Sequence, residues 1–253
     1  MSAKSKWPWI CFSLVLGCSS TGVGNPGVAM QSLVVTSDPE VEPTVADTEE
    51  QLDAAQLQRA ILVLGEIRLL GCDAPEKNTV VLSGPFIVDL AQNRMQPTLP
   101  DFELPETGLC GIDAVLAPAN ASAEMSGRSL FFRGTRSDGA IFLLFADMEG
   151  TLRIRPRAGV DWGDIEDYGL LWTMRPRRWL LPSELDTSEP DSTEGDRRII
   201  AIDLDRHPVL YEAIRSRLGS RSTLHLDWDD DGRLDDAERK GDAWIGVGLD
   251  TLD

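Results

Sequence analysis

Apolar and polar residues alternate along much of the middle of the chain, and a period of two predicts strands. The alternation is plainest in LCGIDAVLA (109–117), where Cys110, Ile112, Ala114 and Leu116 share one face, which would turn Cys110 inward. SLFFRGT (129–135) and AIFLLFA (140–146) flank RSDG, and Asp138–Gly139 suits a type I′ hairpin turn. A turn at 147–150 leads to TLRIRP (151–156), and GLLWTMRPRRWLLP (169–182) reads as a strand pair or one long bent strand. Upstream, LQRAILVLGEIRLLGC (57–72) is apolar enough for a helix, but Gly65 near its middle and Cys72–Asp73 at its end favour a long kinked strand. TVVLSGPFIVDL (79–90) carries Gly84–Pro85 as a bulge or bend. Strands at this spacing, meandering through turn signals, predict a mainly β protein with an antiparallel β-sandwich over residues 57–182.

The pattern changes after the sandwich. Residues 183–197 are polar and acidic, which predicts a solvated linker. Residues 198–253 form a smaller C-terminal segment, whose first strand begins in RRIIAIDLD (197–205). HPVLYEAIRSRLG (207–219) is the strongest helix pattern in the chain. His207 stands at the cap, Pro208 at the first helical position and Gly219 just past the end, with Leu210, Ile214 and Leu218 on one stripe.

Composition sharpens the picture at the amino end. Residues 19–56 are rich in small residues, Pro and acids, so 18–56 is expected to be a flexible tether, with SLVVT (32–36) its one strand-like patch. Residues 1–17 carry Lys4 and Lys6 ahead of the short apolar run ICFSLVLG, too short to span a bilayer and suited to a signal peptide. The run ends in VLGC, which resembles the lipobox of bacterial lipoproteins. That resemblance implies cleavage before Cys18, acylation of Cys18 and a lipid anchor in the cell envelope. Ser19 in place of Asp implies the outer membrane. The anchored body resembles, by strand pattern alone, lipid-anchored bacterial domains of unknown function with a prealbumin-like sandwich. In such an oxidising compartment the even pair Cys72 and Cys110 is expected to form a disulfide.

A net charge of −18 excludes the basic surface that nucleic acid needs. It suits a surface that takes cations, and the acids are not spread evenly. In DWDDDGRLDDAE (227–238), Asp227, Asp229 and Asp231 recur at alternate positions. Gly232 stands where a sharp turn needs positive φ, Leu234 can pin the loop to the body, and Glu238 can reach back with both oxygens. Calcium wants six to eight oxygens, and this stretch resembles an EF-hand loop at each constrained place. The resemblance implies side-chain ligands Asp227, Asp229, Asp231, Asp235 and Glu238, and a backbone carbonyl from Arg233. The flanks depart from an EF-hand. STLHLDW enters as a strand, Gly241 limits any exiting helix, and no second loop is present to pair with this one. A lone structural calcium that fastens the C-terminal segment is therefore expected, in place of a sensor.

No nucleophile–base pair, HExxH, GxSxG or phosphate loop appears, so no catalytic residue is assigned. His225, between Leu224 and Leu226, is expected to face solvent. Arg153, Arg155 and Arg157 share a strand face, with Arg175, Arg177 and Arg178 as neighbours and Trp172 or Trp179 as a stacking platform if that face binds an anion. The expected function is a non-catalytic binding or structural module stabilised by calcium, with an unidentified protein or glycan partner. A lipid-anchored hydrolase acting on an envelope polymer is the alternative.

Overall fold

The computed structural model describes residues 30–38, 51–53, 56–118, 125–162, 165, 168–239, 241–249 and 252. The signal segment and Cys18 lie outside the described residues. Among these residues there are fifteen strands: β1 Met30–Gln31, β2 Leu33–Ser37, β3 Leu57–Gly71, β4 Thr79–Asp89, β5 Arg94–Gln96, β6 Phe102–Glu103, β7 Leu109–Leu116, β8 Leu130–Thr135, β9 Ile141–Ala146, β10 Gly150–Pro156, β11 Gly169–Met174, β12 Ser192–Glu194, β13 Arg197–Ile202, β14 Ser222–Asp227 and β15 Trp244–Gly248. The described residues also form two helices, α1 Pro182–Asp186 and α2 Pro208–Ser220, and two 3-10 turns. The fold is mainly β and sandwich-like, a large curled sheet whose halves close on one core.

The long strand β3 organises this sheet. Its first half, Leu57–Leu62, pairs with β8, and its second half, Leu64–Gly71, pairs with β7. One direction runs β3-β8-β9-β13-β12, the other β3-β7-β10-β15-β14-β11-β2, and β4 flanks the remaining edge of β3. The division falls at Gly65, where the register shifts against both β4 and β7. A Cβ on Gly65 would sit 2.7 Å from the Cβ of Ala117, so the bulge needs a glycine. The bulge also switches which residues face the main core. Ala60, Leu62 and Leu64 do so before it, and Ile67 and Leu69 after it. Ile61 and Val63 point the other way into a small satellite core with Met125 and Phe131.

The same physics overturns the expected inward cysteine. A second register shift opposes Gly71 to Leu109 and Leu70 to Gly111, leaving Cys110 as the extra residue. Leu109, Ile112, Ala114 and Leu116 are buried, while Cys110 is exposed. The disulfide Cys72–Cys110 is present, but it staples the outer end of β3 to β7 instead of sitting in the core.

Several other expectations change. SLVVT, placed in the tether, forms β2, which pairs in parallel with β11 and buries Leu33 and Val35. A second parallel pair joins β13 to β9, so the sheet is not wholly antiparallel. β9 and β10 are not neighbours; the turn between them carries the chain from the β8 side of β3 to the β7 side. The hairpin at Arg136–Gly139 has positive φ at Gly139 alone and a Gly139 N–H to Arg136 carbonyl bond of 2.9 Å. That is a type I turn closed by a left-handed glycine, not type I′. Residues 169–182 give one strand and then a 3-10 turn at Pro176–Arg178. The acidic stretch 183–197 holds most of α1 and all of β12.

Helix α2 starts at Pro208 and buries Leu210, Ile214 and Leu218 as its spacing requires, each contributing about 1.5–3 kcal/mol. Gly219 lies inside the helix, where a Cβ would meet the Leu249 carbonyl at 2.2 Å. His207 makes no side-chain cap; its Nε2 lies 3.0 Å from Asp191 Oδ2. Arg217 makes two 2.7 Å bonds to the carboxylate of Glu184, tying the end of α2 to α1.

Candidate metal centre

Strands β14 and β15 are antiparallel neighbours, and residues 228–243 connect them. The loop is therefore held at both ends by the sheet. β14 buries Ser222 and Leu224 before a register shift and His225 and Asp227 after it, and so delivers Asp227 to the loop entrance at 2% exposure. Asp230 and Gly232 both adopt positive φ, 54° and 71°, which curls the chain tightly enough for its acids to converge. One carboxylate oxygen from each of Asp227, Asp229 and Asp231 falls within 4.8 Å of the others.

The remaining predicted residues surround this cluster without belonging to it. Glu238 is buried at 2% exposure, and its oxygens accept from the backbone N–H of Trp228 at 2.8 Å and of Asp235 at 3.1 Å. It thus folds back over the start of the loop. Asp235 Oδ1 accepts from Ala237 N–H at 2.7 Å and Glu238 N–H at 2.9 Å, capping the short closing turn. Arg233 has an exposed side chain, leaving its carbonyl as the oxygen it can offer. Leu234 is buried at 4% exposure and pins the loop to the body.

The electrostatics are one-sided. Burial pushes the Asp227 carboxyl up, backbone bonds from Gly232 and Asp231 pull it down, and the charges of Asp230 and Asp229 push it up again. Burial likewise raises Glu238, against bonds from Asp235 and Trp228, and the charges acting on it are Asp227 and Asp235. Two buried carboxylates thus face backbone donors, and among the described residues the charges acting most on them are acidic. Such groups are costly in isolation and ordinarily pair or coordinate a metal. The donor set is all oxygen, which fits a hard divalent ion such as calcium.

Sequence reasoning missed two supports of this loop. His225 is buried at 3% exposure, contrary to the expected solvent-facing position. Its Nδ1 donates to the Glu238 carbonyl at 2.9 Å, and its Nε2 accepts from Thr223 Oγ1 at 2.9 Å. Burial lowers its pKa and keeps the ring neutral. The register shift between Leu224 and His225 takes the ring out of plain alternation, which single-strand periodicity does not reveal. The second support is β2. Ser32 Oγ donates to Asp230 Oδ1 at 3.3 Å, and Asp38 binds both Arg239 at 3.1 Å and Arg175 at 2.9 Å.

The arginine face is engaged internally. Arg155 pairs with Asp113 at 2.7 Å, Arg175 with Asp38, and Arg177 donates to the Leu52 carbonyl. Trp172 and Trp179 are fully buried and cannot serve as a stacking platform. Comparison of the chain with protein-family models, with curated proteins and with solved structures finds no match.

Proposed function

We propose that this protein is a lipid-anchored cell-envelope module, non-catalytic, whose β14–β15 hairpin is fastened by one calcium ion. The carboxylates of Asp227, Asp229, Asp231, Asp235 and Glu238 and the Arg233 carbonyl would hold the ion. The observation that supports this reading is the pair of buried acids, Asp227 and Glu238, beside the oxygens of Asp229 and Asp231 that converge on Asp227. An ion there offsets the repulsion and joins the end of β14 to the turn before β15. A lone site of this kind belongs to the weak extracellular class, with affinity on the order of 10⁻⁴–10⁻³ M. Calcium at tenfold excess over that constant stabilises the fold by about 1.4 kcal/mol.

The test is thermal melting of the purified full-length protein in calcium and in chelator, for wild type and Glu238→Gln. The melting temperature rises with calcium in the wild type and not in the variant; equal curves under all conditions would reject the proposal. Anchoring is tested separately, by incorporation of a lipid analogue that is lost in Cys18→Ala.

A further inference from the structure

Beside the loop lies a cleft of about 270 Å³, lined by Tyr168 and Trp228 together with Asp101, Asp230, Asp227 and Met30. Its rings are unusual for this protein. Trp162, Trp172 and Trp179 are at most 1% exposed, whereas Trp228 is 44% and Tyr168 39% exposed. Elsewhere, two accessible rings are covered by the chain's own guanidinium groups: Arg128 lies 4.8 Å from the centroid of Phe145 and Arg157 4.9 Å from that of Trp244. Among the described residues, Tyr168 and Trp228 have neither a stacked ring nor an arginine over them. Among the described residues, the lining of the cleft includes three aspartates and no Lys, Arg or His.

We propose that this cleft binds an organic cation, a guanidinium or alkylammonium group presented from outside. The aromatic faces carry negative quadrupole density, and a cation above them is attracted most strongly where carboxylates stand close by. The cleft thus presents two open rings, of the kind that an arginine covers at Phe145 and Trp244, and adds carboxylates beside them. Asp101 and Asp230 are exposed and can meet the charge of an incoming group, and Met30, itself exposed, offers a soft apolar contact to its alkyl stem. The Trp228 backbone is fixed by its 2.8 Å bond to Glu238, so the ring is set in place by the closing residue of the loop. A neutral sugar would also stack on such rings, but it would gain nothing from the charge of three aspartates.

Asp227 and the Glu238 that fixes Trp228 are shared with the proposed calcium loop, so the experiment is run both in calcium and in chelator, and binding in either condition supports the cleft independently of the ion. Full-length protein is titrated calorimetrically at low salt with N-acetylarginine amide and with N-acetylcitrulline amide, its neutral near-isostere. Saturable binding of the arginine compound is expected, at least tenfold tighter than citrulline. The affinity should fall about tenfold in Trp228→Ala and in Tyr168→Ala, and more weakly in Asp101→Asn. Tetramethylammonium as a second probe distinguishes a free quaternary cation from a partner's side chain. Equal affinity for arginine and citrulline, no saturable binding of either cation, or binding unchanged in both ring variants would overturn the proposal. Both rings are exposed, so the variants should melt like the wild type, and a melting curve verifies this.

Discussion

His225 Nδ1 lies 2.9 Å from the carbonyl oxygen of Glu238, so a buried neutral imidazole couples the closing residue of the acidic loop to the body of β14. The carbonyl accepts only, which places the ring proton on Nδ1 and leaves Nε2 to accept from Thr223, whose oxygen in turn lies 2.8 Å from that of Thr173. Replacing His225 by Ala leaves the Glu238 carbonyl unpaired and a void beside it. A loss of about 1–3 kcal/mol is expected in urea unfolding, together with a smaller calcium-induced melting shift. His225→Asn, with an amide N–H in place of Nδ1–H, should recover part of both.

Gly65 sets where β3 changes partners. Gly65→Ala forces a Cβ to within 2.7 Å of Ala117 Cβ and should destabilise the protein by about 1–3 kcal/mol. The double variant with Ala117→Gly should regain part of that loss. Denaturant midpoints for the four members of the cycle measure the coupling, and additive losses would show that crowding against Ala117 is not the cause.

The Glu184–Arg217 bridge predicts an acid limb. Burial raises the Glu184 pKa, but the hydrogen bonds from Arg217 and Leu181 and the Arg217 charge outweigh it, and the net shift is downward. A carboxyl whose folded pKa lies below its unfolded value contributes full stability above the unfolded value, and that contribution is lost as pH falls through the folded one. Stability should therefore drop below about pH 4, the range of an unperturbed Glu. Glu184→Gln should be less stable than wild type at neutral pH and show a flatter acid limb, as followed by circular dichroism.

The disulfide is expected to matter through the unfolded chain. It closes a loop across a sequence separation of 38, for which chain entropy gives about 4 kcal/mol. Both cysteines are exposed, so mild reductant should open the bridge without prior unfolding. Thiol labelling under native conditions checks access, and the melting temperature before and after reduction checks the magnitude.

Most strands were legible because their alternation is local. β8, β9 and β10 begin and end within a residue or so of their apolar patterns, and α2 follows its stripe at spacing four. What the pattern hid was the bulges. Cys110 and His225 each sit at a register shift, where one added residue turns the next side chains to the other face, and both were assigned to the wrong side. β2 was hidden for another reason. Five residues in an acidic, Pro-rich surround carry too little pattern to announce a strand that its partner β11 holds in place. The alternate spacing of Asp227, Asp229 and Asp231, whose oxygens converge, was visible in the sequence, but Trp228 and Tyr168 are far apart in the chain, and only folding sets them on one cleft.

The shared strand β3 bears on how the molecule comes apart. A fold assembled from two independent sheets could lose one and keep the other, whereas here neither half has a complete hydrogen-bonded border without the same fifteen residues. Denaturation should accordingly proceed as one cooperative event, with amide exchange in β8 and in β7 slowing to a common limit.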